Sequence, residues 1–154
     1  MPLIGVNHVA TLTEDLDRLI DFYERIFESK TVLDVEIPKI KARHAFITIG
    51  GPSILHAWEV EDVDASRFDG EMFSRGRIDH LALQADSYAS FETLRRRLMT
   101  EGATEGVVND FGPMESFSFR DPDGLWCEVC RYKDEPDPSV MDMSLFRDPI
   151  ADAL

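Results

Sequence analysis

The sequence has few cysteines and no long apolar run. The first feature bears on the compartment in which the protein works, and the second argues against a membrane-spanning helix. Only 2 of its 154 residues are cysteine, and its N-terminus has no basic and apolar stretch of the kind that directs export. Both features favour a reducing compartment, and we expect a cytoplasmic protein. Apolar residues make up 44% of the sequence, which supports a packed core. They never form a run of about 18 residues, so we expect no membrane-spanning helix.

Positive charge is also scarce. Lysine and arginine number 16 against 30 aspartates and glutamates, and the formal net charge is −14. Nucleic acids and anionic membranes bind to basic patches, so this balance argues against both as partners. It also weighs against a polyanionic substrate. The triplet Arg95-Arg96-Arg97 lies on a predicted helix, and we interpret it as the solvated face of that helix.

What the sequence does have is one spacing that occurs twice. His80 follows His8 by 72 residues, and Glu128 follows His56 by the same 72 residues. Each of the four lies in a strand-like segment. The simplest explanation is an internal duplication, with one such residue at the start and one at the end of each half. Three imidazoles and a carboxylate suit a divalent transition metal such as zinc, nickel, iron, manganese or cobalt, so these four residues are the predicted metal ligands.

The apolar pattern repeats with the same period and predicts the same elements in each half. After each His-containing first strand, apolar residues recur every three or four positions, as on one face of a helix. In the first half the predicted strands are about 3–11, 31–37, 43–49 and 53–60, and the helix is about 14–27. In the second half the strands are about 77–85, 104–108, 115–120 and 125–132, and the helix is about 88–100. The predicted fold class is α+β, with two paired βαβββ modules.

Three features resemble the vicinal oxygen chelate superfamily, which includes glyoxalase I, bleomycin-resistance proteins and extradiol dioxygenases. They are the His-containing first strand of each half, Asp15-Leu16-Asp17 leading into Phe22-Tyr23-Glu24, and Phe119-Arg120-Asp121-Pro122-Asp123-Gly124 leading into Glu128. The resemblance covers about residues 3–132. It implies that the modules form a cupped mixed sheet around a metal site, the glyoxalase/bleomycin resistance/dihydroxybiphenyl dioxygenase fold. It also implies metal ligands from the first and last strands of each module, at positions that match all four predicted ligands.

The resemblance also sets the expected organisation of the chain. Residues 1–132 are expected to form a single domain, with module one at 1–62 and module two at 75–132. The composition of residues 133–154 indicates an acidic C-terminal tail, which is either a mobile terminus or an arm that docks on the same subunit or on a partner. We favour docking, because it would bury apolar residues such as Leu145 and Phe146. Because only one pair of modules is present, we expect a homodimer, with the metal site either within one chain or across two.

A divalent metal with open positions is a Lewis acid that binds a small substrate with two adjacent oxygens and stabilises an enolate. The first hypothesis is therefore a metal-dependent lyase or isomerase of the glyoxalase I type. In that family a ligand carboxylate can leave the metal and act as the base, and Glu128 is the matching residue. His56 stands where glyoxalase I has Glu or Gln. It is either the fourth ligand or an opposing acid–base residue.

Two alternatives stay open. His8, His80 and Glu128 alone form a two-histidine, one-carboxylate set that suits Fe(II), oxygen and a catechol-like substrate. This is the set of an extradiol-type dioxygenase, with His56 unligated. The other alternative is a metal-free protein that binds a small molecule such as a drug, as some members of the superfamily do. The retention of all four ligand-type residues argues against it.

Two further features have simpler interpretations. His44 shares a strand face with Phe46, which would let it line a pocket, but we expect a structural role. Cys127 and Cys130 form a Cys-x-x-Cys pattern. Residues three apart in a strand face opposite ways, so we expect neither a redox pair nor a shared metal site.

Overall fold

The structure, a computed structural model, describes residues 6–61 and 80–133. These residues form two compact units: 6–61 with 121–125 make up the first, and 80–120 with 126–133 make up the second. Neither helix within these ranges is long and apolar enough to cross a membrane. The predicted C-terminal tail lies outside the described residues except for Lys133.

The first unit contains a four-stranded mixed sheet and one α-helix. In chain order its elements are β1 (His8–Thr13), α1 (Leu16–Phe27), β2 (Thr31–Ile37), a short 3-10 helix (Pro38–Ile40), β3 (Ala42–Thr48) and β4 (Ile54–Val60). The strand order is β1-β4-β3-β2, in which β1 runs parallel to β4 and the other neighbours are antiparallel. The unit is therefore a βαβββ module.

The second unit repeats this plan. Its elements are β5 (Leu81–Gln84), α2 (Tyr88–Glu101), β6 (Asn109–Asp110), β7 (Met114–Arg120) and β8 (Trp126–Tyr132). The strand order is β5-β8-β7-β6, again with the first and last strands parallel and the others antiparallel. Two βαβββ modules with mixed sheets confirm the predicted fold class. Residues 3–5 and 77–79, where two predicted strands begin, lie outside the described residues.

The strand pairing in the two sheets is related by the same 72-residue shift as the predicted ligands. Ala10 of β1 lies opposite His56 of β4, and Ala82 of β5 lies opposite Glu128 of β8. The antiparallel pairing of each last strand with the strand before it follows the same shift. His56 and Glu128 therefore occupy equivalent positions in the two modules, as the duplication predicts.

Two carboxylates fix the start of α1. The Asp15 side chain accepts a hydrogen bond from the backbone N–H of Arg18 at 2.9 Å, the arrangement of a helix N-cap. Glu59 of β4 accepts a second one from the backbone N–H of Leu16 at 2.7 Å. Both bonds satisfy N–H groups that the first turn of a helix leaves without an intrahelical partner. The helix therefore begins at Leu16, two residues later than predicted.

One predicted strand is wrong. Residues 104–108 are not in a strand, and β6 is only the two residues that follow them. The Thr104 hydroxyl donates to the Ser118 carbonyl of β7, which puts a side-chain bond where a backbone ladder would run. Gly106 has a φ of +73°, and Arg95 of α2 donates to its carbonyl at 2.6 Å. A left-handed glycine held against the helix is incompatible with extended pairing to β7.

Alternation along β3 and β4 separates a core face from an open face. Helix α1 packs against both strands. The fully buried residues of these strands alternate in sequence; they are Ala45, Ile47, Leu55 and Ala57. The intervening residues are only half-buried; they are His44, Phe46, His56 and Trp58. Since side chains alternate across a strand, the histidines lie on the face that α1 does not cover.

The second unit separates its faces in the same way. Phe91 of α2 contacts Phe117 of β7 edge-on, with ring centroids 5.0 Å apart, and both side chains are buried. Cys127 and Val129 of β8 are fully buried as well. Glu128 lies between these two in sequence, so its side chain projects from the opposite face.

The turn at 121–125 is organised by a buried carboxylate. One oxygen of Asp121 accepts hydrogen bonds from the backbone N–H groups of Asp123 at 3.0 Å and Leu125 at 2.9 Å. Asp123 in turn forms an ion pair with Arg18 at 2.8 Å. Asp121 is only 5% exposed, and this burial raises its pKa from 3.8 to about 6. Desolvation disfavours the charged carboxylate, and the hydrogen bonds only partly offset it.

The raised pKa of Asp121 predicts a pH-dependent loss of stability. Between about pH 4 and pH 6 the folded chain keeps a proton that the unfolded chain has lost, so the free energy of unfolding falls as pH rises. Asp121→Asn resembles the protonated side chain at every pH, so its free energy of unfolding should not fall in this range. The free energy of unfolding of the variant minus that of wild type, measured by urea unfolding, should therefore increase by on the order of 3 kcal/mol between pH 4 and pH 7. Asp21→Asn, on the exposed side of α1, is the control, and parallel pH profiles for wild type and Asp121→Asn would contradict the account.

Candidate functional site

The first unit brings two of the predicted ligands together. His8 begins β1 and His56 lies in β4, two register positions further along. Their rings meet edge to face, with centroids 5.6 Å apart. His8 is exposed, and its Nδ1 lies 2.8 Å from the side-chain oxygen of Asn7.

His44, for which we expected a structural role, contacts this pair through His56. Its Nδ1 lies 2.9 Å from Nε2 of His56, so the two rings share a hydrogen bond. The His44 ring also stacks on Trp58, with centroids 4.4 Å apart and planes 13° from parallel. The stacked indole fixes the plane of His44, and the hydrogen bond then fixes the plane of His56. His44 therefore contacts a candidate ligand instead of serving only as part of the core.

Aromatic side chains surround His56. Its ring centroid lies 4.5 Å from that of Phe46 and 4.8 Å from that of Trp58. Burial lowers the pKa of His56 below its ordinary value of 6.5, because desolvation disfavours the imidazolium, and the neighbouring His44 and His8 lower it further. A neutral imidazole at physiological pH is the form that binds a metal or accepts a proton.

The second unit holds the other two predicted ligands. Glu128 lies in β8, and His80 directly precedes the parallel neighbour β5 and is exposed. The Cys130 thiol lies 3.7 Å from one oxygen of Glu128 and donates to it. Burial raises the pKa of Cys130 to about 12, with the Glu128 charge adding to the effect, so the thiol stays protonated. Neither Cys127 nor Cys130 forms a disulfide, and both side chains are buried.

Each unit by itself supplies two of the four predicted ligands. Within residues 6–61 and 80–133, no group of three or more His, Cys, Asp or Glu side chains is arranged to hold a metal ion. The chemistry of the donors nevertheless fits a divalent ion, since His56 is neutral at physiological pH and Glu128 provides an oxygen donor. The hydrogen bond shared with His44 engages Nε2 of His56, and in the tautomer in which Nε2 is the donor, Nδ1 carries the lone pair that an ion would bind.

Several solved structures share this fold. A glyoxalase/bleomycin resistance protein/dioxygenase domain from Frankia sp. EAN1pec has 22% identity and a TM-score of 0.71, and the match covers 85% of this chain and 99% of that one. The trypanothione-dependent glyoxalase I of Leishmania major has 19% identity and a TM-score of 0.62, with 84% and 87% covered. A lactoylglutathione lyase from Agrobacterium tumefaciens has 22% identity and a TM-score of 0.60, with 85% and 96% covered. At these identities the likeness concerns the fold.

The family is shown by the sequence itself. No curated protein matches the chain. The sequence profile of a superfamily that includes both enzymes and resistance proteins, however, matches residues 5–129, most of the chain and both modules. The chain belongs to the Glyoxalase/Bleomycin resistance protein/Dioxygenase superfamily.

Proposed function

We propose that the protein is a divalent-metal-dependent lyase or isomerase of the glyoxalase I type, acting on a small molecule with two adjacent oxygens. The proposed ligands are His8, His56, His80 and Glu128. Zinc, nickel, iron, manganese and cobalt all suit such a set. The four ligands come from one chain or from two copies of it, and we propose a homodimer.

The equivalent placement of His56 and Glu128 is the observation that supports this function most. Two sheets with one register put a metal-binding side chain at the same position of each last strand, on the face left open by the helix. A duplicated strand conserves apolar residues for packing, but packing gives no reason for ligand-type side chains at both open-face positions. The superfamily includes enzymes of this kind, and a lactoylglutathione lyase shares the fold.

The side chains divide the chemistry between them. A divalent ion held by the proposed ligands would supply Lewis acidity to the substrate carbonyl. Glu128 removes the proton α to the substrate carbonyl and returns it, and the Cys130 thiol holds the carboxylate in place. His56 is either the fourth ligand or the acid–base group that faces Glu128 across the substrate. In both roles the hydrogen bond shared with His44 orients the His56 ring.

One observation supports a second candidate, an Fe(II) extradiol-type dioxygenase. Because His44 engages Nε2 of His56, that nitrogen is not open to an ion in this arrangement. The remaining predicted ligands, His8, His80 and Glu128, form the two-histidine, one-carboxylate set that suits Fe(II). His56 then serves as the acid–base residue beside a catechol-like substrate.

Proton exchange tests the proposed reaction without knowledge of the natural substrate. Hydroxyacetone has two adjacent oxygens and protons α to a carbonyl. In deuterated water with each divalent ion in turn, we expect the protein to accelerate exchange of these protons, as followed by proton NMR. Oxygen uptake with catechol and Fe(II) tests the second candidate. Neither activity with any ion, together with tight binding of an apolar drug, would contradict both and support a metal-free binding protein.

A further inference from the structure

The charged side chains of the first sheet all lie on one of its two faces. Arg43 of β3 forms ion pairs with Asp17 of α1 at 2.8 Å and with Asp34 of β2 at 2.7 Å. Glu36 and Glu59 both lie opposite Arg43 in the strand register, and Glu59 accepts a hydrogen bond from the start of α1. These contacts and the alternation of side chains place every Asp, Glu, Lys and Arg of β1 to β4 on the face that α1 covers.

The open face of this sheet consists of rows of aromatic, aliphatic and imidazole side chains that run across the strands. One row, read in the strand order β1-β4-β3-β2, is Leu12, Trp58, His44 and Val35. The next row begins with Ala10, His56 and Phe46. The chain as a whole has 30% charged residues and a net charge of −14. A sheet face without Asp, Glu, Lys or Arg is therefore a local departure from the composition, and it marks a surface suited to binding.

Four rings form the centre of this open face. Trp58 stacks on His44, and Phe46 meets the His56 ring edge to face with centroids 4.5 Å apart. Leu12, at one end of the first row, is 47% exposed, whereas the rings are half-buried. The two rows cover on the order of 200 Å², because neighbouring strands lie roughly 4.8 Å apart, while a stable protein interface buries roughly 800 Å² on each partner. The face therefore fits a small molecule better than a second protein surface.

We infer that this open face binds the non-reacting part of the substrate, and that this part is an uncharged aromatic group. A further ring gains both burial and edge-to-face or stacked contacts with the rings of the face. A charged group would lose its hydration there and gain no partner. Ala10, which is small and exposed, lies beside His56 and leaves room for the ring. Resting on the proposed function, the inference identifies the substrate as an uncharged aryl ketone with a neighbouring hydroxyl group.

Binding is measured on the full chain without metal, so that the result does not depend on the proposed reaction. Acetophenone is the probe, benzoate is its charged counterpart with the same ring, and cyclohexyl methyl ketone is its counterpart without an aromatic ring. Trp58 and Trp126 are the two tryptophans of the sequence, and Trp126→Phe identifies the Trp58 indole N–H resonance in nitrogen-15 NMR.

Acetophenone should shift the Trp58 resonance in a saturable way. We expect it to bind roughly tenfold or more tightly than benzoate, because the face would strip water from the carboxylate without replacing it. Cyclohexyl methyl ketone should bind several times more weakly than acetophenone, since it buries similar area but lacks the contacts between rings. A Trp58 resonance unmoved by acetophenone would overturn the site. Benzoate or cyclohexyl methyl ketone bound as tightly as acetophenone would overturn the ligand class.

Substitution of Leu12 tests whether the lack of charge sets this preference. Leu12→Lys places an ammonium group at the end of the first row, so the preference for acetophenone over benzoate should shrink roughly tenfold, whereas Leu12→Glu should keep or enlarge it. Met99→Lys and Met99→Glu are the matched controls, since Met99 is 44% exposed, close to the 47% of Leu12, and lies on α2 of the second unit. A ratio of two affinities does not depend on the fraction of folded protein. An unchanged preference in Leu12→Lys would contradict the assignment of the face.

The place of the open face in substrate binding has its own test. The compound 2-hydroxyacetophenone joins the proposed ring to the two oxygens of hydroxyacetone. Its kcat/KM for proton exchange, divided by its rate constant for exchange by hydroxide alone, should exceed that of hydroxyacetone roughly tenfold or more. Acetophenone should inhibit hydroxyacetone exchange competitively. Equal normalised values or noncompetitive inhibition would overturn the link between face and substrate. If exchange fails with both ketones but acetophenone still binds next to Trp58, the proposed function is wrong and the face is a separate site for aromatic molecules.

Discussion

Replacing Glu128 by glutamine should lower the rate of proton exchange roughly 10³-fold, within the range expected for loss of a general base. Glutamine has the same shape and can still accept a hydrogen bond from the Cys130 thiol, so the fold should be unchanged. It cannot take a proton from carbon, and it is a weaker metal ligand than a carboxylate. The loss should therefore appear in kcat as well as in metal affinity, and measurement at saturating metal separates the two.

Glu36→Gln is the control for this substitution. Glu36 is an exposed residue of β2 and is not one of the proposed ligands. The substitution makes the same change, from a carboxylate to an amide. It should leave the exchange rate within about twofold of wild type, as expected for a surface substitution away from the site. Equal rates for Glu128→Gln and wild type at saturating metal would contradict the assignment of Glu128 as the base.

If His56 is a metal ligand, substitution of His44 should weaken metal binding roughly 10- to 100-fold, the effect typical of losing a group that orients a ligand. His44→Phe keeps a flat ring for stacking on Trp58 but removes the hydrogen bond to His56. His44→Asn places a hydrogen-bonding atom near the position of Nδ1 and should restore much of the affinity. Titration of the purified variants with each divalent ion against a chromophoric chelator measures the difference.

The same pair of variants separates the two roles of His56. If His56 is a ligand, His44→Phe lowers metal affinity. If His56 is an acid–base residue, metal affinity stays as in wild type and only the exchange rate falls. Wild-type values for both quantities in His44→Phe would show that the contact between His44 and His56 has no part in the site.

The duplicated spacing was enough to predict most of the fold, because the internal duplication determines both the spacing of the residues and the register of the strands. A strand that returns after the same number of residues pairs in the same register, so Ala10 meets His56 as Ala82 meets Glu128. Alternation along the strand then decides which side chains leave the core. These two rules place His56 and Glu128 on the open faces of their sheets without any knowledge of distances.

Two features could not be predicted from the sequence. In one, side-chain hydrogen bonds replace the pairing of a strand, and in the other, side chains contact each other diagonally across two strands. The strand predicted at 104–108 is absent because Thr104 and Gly106 make other hydrogen bonds, which no periodicity records. The contact of His44 with His56 is diagonal across the hairpin of β3 and β4, where Phe46 is the direct neighbour of His56. Counting back from the glycine turn at 50–51 would have given this register, and it is the signal that could have found His44.

Metal content of the purified protein tests the central claim most directly. Elemental analysis of wild type should find about one divalent ion per chain, since each chain contributes one set of four ligands whether the site lies within one chain or across two. His8→Ala, from the first unit, and Glu128→Ala, from the second, should each lose that ion. Wild type without metal after incubation with each candidate ion, or full metal content in both variants, would contradict the assignment of one shared site to the two modules.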